Sequence, residues 1–138
     1  MYYDTKPCGF NGLFDSDVFC DVLKGYYPFK MFNELYKLGT ACAVVNDECI
    51  YTCAATNGDK AAVVLTHFTD EDDNAPACEV QLNLQGFIGN QGVKASYYVL
   101  DKNLDLELVK EEIFHLKNYT TVLKAELFTS YLILLEKC

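Results

Sequence analysis

Cys49-Ile50-Tyr51-Thr52-Cys53-Ala54-Ala55-Thr56-Asn57-Gly58-Asp59-Lys60-Ala61-Ala62-Val63-Val64-Leu65-Thr66-His67-Phe68 sets two apolar runs on either side of four turn formers. Asn-Gly accepts the left-handed backbone of a tight reversal, and β-branched and aromatic side chains suit a pleated surface. The stretch therefore predicts a hairpin, with strands over 49–56 and 61–68. Working outward, short runs of the same kind lie near 41–45, 78–84, 93–100, 119–125 and 130–136. Most have no helical pattern between them, which argues against a parallel sheet and for a mainly β chain built as an antiparallel β-sandwich. Residues 102–116 stay open between two readings. Leu104, Leu106 and Leu108 alternate as in a strand, whereas Leu108 to Phe114 has the composition of a short helix.

The pattern changes on the N-terminal side of Gly39. Residues 1–25 mix aromatics with turn formers, which suggests a short strand over Met1 to Asp4 and then a long irregular connection. From Tyr27 to Leu38 the apolar residues Phe29, Phe32, Leu35, Tyr36 and Leu38 recur at helical spacing, with Pro28 in the first turn and Gly39 just past the end. The expected organisation is a strand-loop-helix segment over 1–39 and a sandwich over 40–138.

At 138 residues, half of them apolar, the chain has the size of one ordinary globular domain. Its net charge is −9 and all eleven cations are lysine. Without the planar fork of arginine, and with that sign, nucleic acid is not expected as a partner. An anionic membrane surface is disfavoured for the same reason, and no apolar run approaches the roughly 20 residues of a spanning helix. Seven cysteines at irregular spacing, behind an N-terminus without the pattern of a secretory signal, suggest reduced thiols and a cytoplasmic protein.

Few motifs carry chemistry. The acidic stretch Thr69-Asp70-Glu71-Asp72-Asp73-Asn74 offers Asp70, Asp72 and Asp73 as oxygen ligands for calcium. It lacks the glycine turn and distal glutamate of an EF-hand loop, so a solvated loop between strands is the favoured reading. No paired Cys-x-x-Cys knuckles exist for zinc, and Cys49 and Cys53, on one face of a strand, would lie roughly 13 Å apart. No metal or cofactor is expected. His67 and His115 read as structural or surface histidines with no nucleophile placed beside them. Carboxylates are plentiful, yet spacing singles out no pair of the kind that hydrolyses glycosidic bonds. Ten tyrosines and nine phenylalanines supply core material as well as faces on which sugars stack.

Read as strings, MYYDTKPCGFNGLFD (1–15) and LKGYYPFKMFNELYKLGTAC (23–42) resemble the closing part of barrel-type glycoside hydrolases of the β-xylosidase, family 39-like kind. Residues 46–51, 62–70 and 97–101 resemble pieces of the β-sandwich that follows the barrel in those enzymes. The resemblance implies that the single N-terminal helix belongs to the last strand-helix unit of a barrel and that Tyr2, Tyr3 and Asp4 are a remnant of a sugar-lining strand end. In that family the general acid and the nucleophile come from the ends of the fourth and seventh barrel strands, so the resemblance implies that neither is present. The implied role is a non-catalytic accessory domain or fragment of a glycoside hydrolase, not an enzyme in itself. The alternative is a stand-alone carbohydrate-binding module. Expected partners are a barrel portion encoded upstream, carbohydrate, or a second copy of the chain. The helix has an apolar face that either folds onto its own sandwich through Gly39-Thr40 or packs across a homodimer built from residues 1–38.

Overall fold

The computed structural model describes residues 13–15, 21–46, 48–70, 75–87, 92–115 and 118–138. The strand expected over Met1 to Asp4 lies outside them. A short pair, β1 (Phe14–Asp15) and β2 (Asp21–Val22), leads through a 3-10 turn at Lys24–Tyr26 into helix α1 (Tyr27–Leu38). Strands β3 (Thr40–Ala41), β4 (Ile50–Thr56), β5 (Lys60–His67), β6 (Cys78–Gln85), β7 (Val93–Leu100), β8 (Asp105–Phe114), β9 (Asn118–Ala125) and β10 (Ser130–Lys137) follow. Six of them form one antiparallel sheet in the order β3-β4-β5-β10-β7-β8, and β6 pairs with β9 in a second.

The hairpin that decides the fold forms as its residues dictate. Ile50 lies opposite His67 and Thr56 opposite Ala61. Gly58 takes φ 95°, and the Asn57 side-chain oxygen accepts hydrogen bonds from the backbone N–H groups of Asp59 (3.1 Å) and Lys60 (2.8 Å). Thr56 closes the other side, its hydroxyl accepting from Gly58 N–H and donating to the Lys60 carbonyl.

The six-stranded sheet is the middle layer. Ala61, Val63, Tyr97, Ile133 and Leu135 point to one face, where they pack with Leu123 of β9 and, through partly buried Val80, Leu82 and Leu84, with β6. Ala62, Val64, Leu100, Leu106 and Leu132 point to the other, where they meet Met31 of α1. Strand β5 is covered on both faces, which is why it reads as an unbroken apolar run, whereas β6 and β9, covered on one face, alternate.

One expected strand changes, and one open stretch takes one of its two readings. The strand over 41–45 shrinks to Thr40–Ala41: after Cys42 N–H reaches the Ala54 carbonyl (2.9 Å) the edge ends, and Val44 and Val45 stand exposed. The ambiguous stretch 102–116 becomes the ten-residue strand β8, because β7 supplies a ladder of hydrogen bonds along it. The register shifts between Tyr97 and Tyr98 and between Val99 and Leu100, and Leu106 takes φ 62°, the local irregularity of a bulged edge.

Helix α1 has the expected limits and Gly39 ends it at φ 84°. Its buried side is Tyr27, Met31, Leu35 and Leu38, one row at i, i+4, i+8 and i+11, and not the aromatic row read from the sequence. Of that row, Leu35 and Leu38 pack inward, while Phe29, Phe32 and Tyr36 are 46, 53 and 83% exposed. The helix thus folds onto its own sheet and keeps an aromatic face outside.

Candidate functional site

A partly buried cluster of polar side chains lies between β7, β8 and β9. The Tyr97 hydroxyl donates to Glu112 Oε1 (2.7 Å), the Tyr119 hydroxyl donates to the same oxygen, and Lys110 Nζ approaches it at 2.8 Å. Lys110 also sits 5.0 Å from the centre of the Tyr97 ring, and Tyr119 stacks on Phe114 with centroids 4.0 Å apart. Burial pushes the Glu112 carboxyl up, but hydrogen bonds from Lys110, Tyr119 and Tyr97 outweigh it and hold the group below the usual carboxylate range. Burial, followed by the bonds to Tyr119 and Glu112, pushes the Tyr97 hydroxyl far above its ordinary value. A carboxylate that accepts from Tyr97 on β7 and Tyr119 on β9 ties β8 to both neighbours.

On the helix side of the middle sheet runs a row of ion pairs. Lys60, Glu136 and Lys94 stand opposite one another on β5, β10 and β7, and Lys94 pairs with Glu111 at 2.7 Å. With Lys37–Glu34 of α1 they border a groove of about 440 Å³ floored by Tyr98 and Leu134. The side chains are about half exposed, so solvent screens the pairs and they add little to stability.

A second recess, of about 490 Å³, opens at the end of the sandwich between the segment before β6, the β7–β8 turn and the β9–β10 turn. Asp101, Lys102, Glu126 and Phe128 line it. Asp101 Oδ1 accepts from Asn103 N–H (2.7 Å) and Leu104 N–H (2.8 Å), which fixes that carboxylate, and Lys102 Nζ lies 3.7 Å from Glu126 Oε2. The two carboxylates are felt at Tyr131, whose hydroxyl is pushed up by burial and then by Asp101 and Glu126. Phe128 sits at the third position of the turn closed by Thr129 N–H to the Glu126 carbonyl and has φ 62°. Glycine or asparagine ordinarily takes that place, and an L side chain there costs about 1–2 kcal/mol. Burial does not repay the cost, since Phe128 is 51% exposed. Its ring lies 5.9 Å from that of Phe68, which in turn lies 6.3 Å from Tyr51.

The residues singled out in the sequence are not gathered into a site. Tyr2, Tyr3 and Asp4 lie outside the described residues, as do Asp72 and Asp73; Asp70 is exposed just beyond β5. Among the described residues no group of three or more His, Cys, Asp or Glu side chains converges as metal ligands. His67 is buried and its Nδ1–H donates to the Ala125 carbonyl at 3.1 Å, which joins β5 to β9.

No family model matches the chain, and no curated protein does. Solved structures do. A glucosidase from Croceicoccus marinus superposes over 93% of this chain with a TM-score of 0.77 at 12% identity. Glycoside hydrolases carry this fold. A family 39 enzyme from Xanthomonas axonopodis pv. citri matches 92% of the chain with a TM-score of 0.71 at 9% identity, and a family 30 endoxylanase from Clostridium papyrosolvens matches 93% with 0.66 at 17%. The chain spans only 34, 32 and 31% of those proteins. Sequence reading missed the recess and the Glu112 cluster. The cluster was hidden because β8 was not assigned, and the recess because two turns and the segment before β6, far apart in sequence, form it; a phenylalanine in a Glu-Leu-Phe-Thr turn, where glycine belongs, was the one visible signal.

Proposed function

We propose that the chain acts as a non-catalytic accessory domain of a β-xylosidase-like glycoside hydrolase, completing and supporting a barrel supplied by other residues. The observation that carries this reading is the match of more than nine tenths of the chain to about a third of a glucosidase and of a family 39 enzyme. The exposed Phe29, Phe32 and Tyr36 on α1 support it, since a helix that closes a barrel needs an apolar face on each side. In this reading Glu112 has a structural duty, and hydrolysis, which needs two carboxylates set across one sugar, belongs to the barrel. The purified chain is expected to leave aryl β-xylosides and aryl β-glucosides intact. Turnover that disappears in Glu126→Gln or Glu112→Gln would overturn the reading, as would a transcript encoding no strand-helix units upstream of Met1. A stand-alone carbohydrate-binding module is the second reading, favoured by the recess that Phe128 borders beside Asp101, Lys102 and Glu126.

A further inference from the structure

The recess at the end of the sandwich joins three features that the accessory role leaves without a task. The first is the strained and half-exposed Phe128. A strained residue persists only where the surrounding structure imposes it, and here the β5 end does so: Phe128 N–H donates to the His67 carbonyl (2.9 Å) and His67 N–H to the Thr129 carbonyl (3.0 Å). The second is a run of aromatic surface leading away from it through Phe68 to Tyr51, which is 58% exposed. This run is pinned by a second left-handed residue, Cys49, whose carbonyl accepts from Phe68 N–H at 3.0 Å. The third is the polar wall of Asp101, Lys102 and Glu126.

We propose that this end of the molecule binds a neutral pyranose oligosaccharide, one sugar seated in the recess against Phe128 with its hydroxyls on Asp101, Lys102 and Glu126, the next extending along Phe68 and Tyr51. A pyranose ring presents C–H groups on one face, which suit the electron-rich face of an aromatic ring, and hydroxyls at its rim that donate to carboxylates and accept from an ammonium. A wholly apolar partner would bury the three charged groups without satisfying them. An anion would face two carboxylates against one lysine in a chain of net charge −9. This rests on the second reading above and not on the accessory role; it requires neither barrel nor helix face.

Calorimetry and tyrosine fluorescence with the whole chain, titrated with xylohexaose, cellohexaose and a cationic glucosamine hexamer, test it. The expected result is saturable binding of at least one neutral hexasaccharide, weakened about tenfold or more by Phe128→Gly, by Glu126→Gln and by Tyr51→Ser. Phe128→Gly should melt at the same temperature as the parent or higher, because the substitution relieves the left-handed strain. Tyr51→Ser, at an exposed position, decides the matter independently of that turn. Binding by none of the neutral sugars, binding by the cationic hexamer alone, or binding indifferent to all three substitutions would each overturn the proposal. None of these outcomes bears on turnover, so the accessory role stands or falls separately.

Discussion

Glu112 shows how a single residue can matter to this fold without doing chemistry. Its carboxylate satisfies two tyrosine hydroxyls and a lysine at once, and the pairing spans strands that belong to different sheets. Because its folded pKa lies below the unfolded value, the carboxylate contributes stability that is fully present above the unfolded pKa and is lost as pH falls through the folded one. Glu112→Gln is therefore expected to lower the unfolding free energy by about 1–3 kcal/mol at pH 7. Urea titrations of parent and variant at pH 7 and at a pH low enough to protonate the folded carboxylate check this, and the difference should narrow at the lower pH. An equal gap at both pH values would show that the charge is irrelevant. None of this was legible beforehand: Glu111 and Glu112 are equivalent in the sequence, and only the register of β8 against β7 turns one toward Tyr119 and the other toward Lys94.

At the scale of elements, the sequence is most readable where local signals agree. Asn57-Gly58 fixes the β4–β5 hairpin, and Pro28 and Gly39 bracket α1 at the limits its periodicity implies. Which side of α1 faces the sheet was not readable, because the helix is apolar on two sides and the row at 29, 32 and 36 is the more aromatic. In the folded chain the other row meets the sheet, with Met31, long and unbranched, packed among Ala62, Val64 and Leu132. This assigns opposite consequences to neighbouring residues. Met31→Ala is expected to cost about 2–5 kcal/mol, whereas Phe32→Ser and Tyr36→Ser should stay within about 0.5 kcal/mol of the parent. Thermal and urea unfolding followed by circular dichroism measure both, and a loss at Phe32 as large as that at Met31 would mean that the outer face is already covered. Strand β8 teaches the reverse lesson: its charged, helix-compatible residues adopt a strand because β7 would otherwise be left with an unpaired edge.

For the molecule as a whole, an antiparallel sandwich was legible because seven of its strand segments carry β-rich composition between polar turns, while its layering was not, since sheet order depends on contacts between segments far apart. That order leaves the middle sheet covered by β6 and β9 on one side and by α1 on the other, and places the aromatic face of α1 on the outside of the third layer. Phe29, Phe32 and Tyr36 together present apolar surface on the scale at which a patch marks an interface, about a few hundred Å². Where a barrel covers this face, it is buried; in the isolated chain we propose that the same face of a second copy covers it, as a two-fold dimer through the N-terminal segment. Net charge of −9 opposes close approach, so association should strengthen with salt, the opposite of what a contact held by ion pairs would do. Sedimentation across a dilution series at low and high ionic strength is the measurement. The expected outcome is a monomer–dimer equilibrium shifted toward dimer by salt and abolished by Phe32→Asp with Tyr36→Asp at unchanged melting temperature. A monomer at every concentration and salt level would show that the outer face of α1 is tolerated in water, and would remove one support for its having a barrel partner.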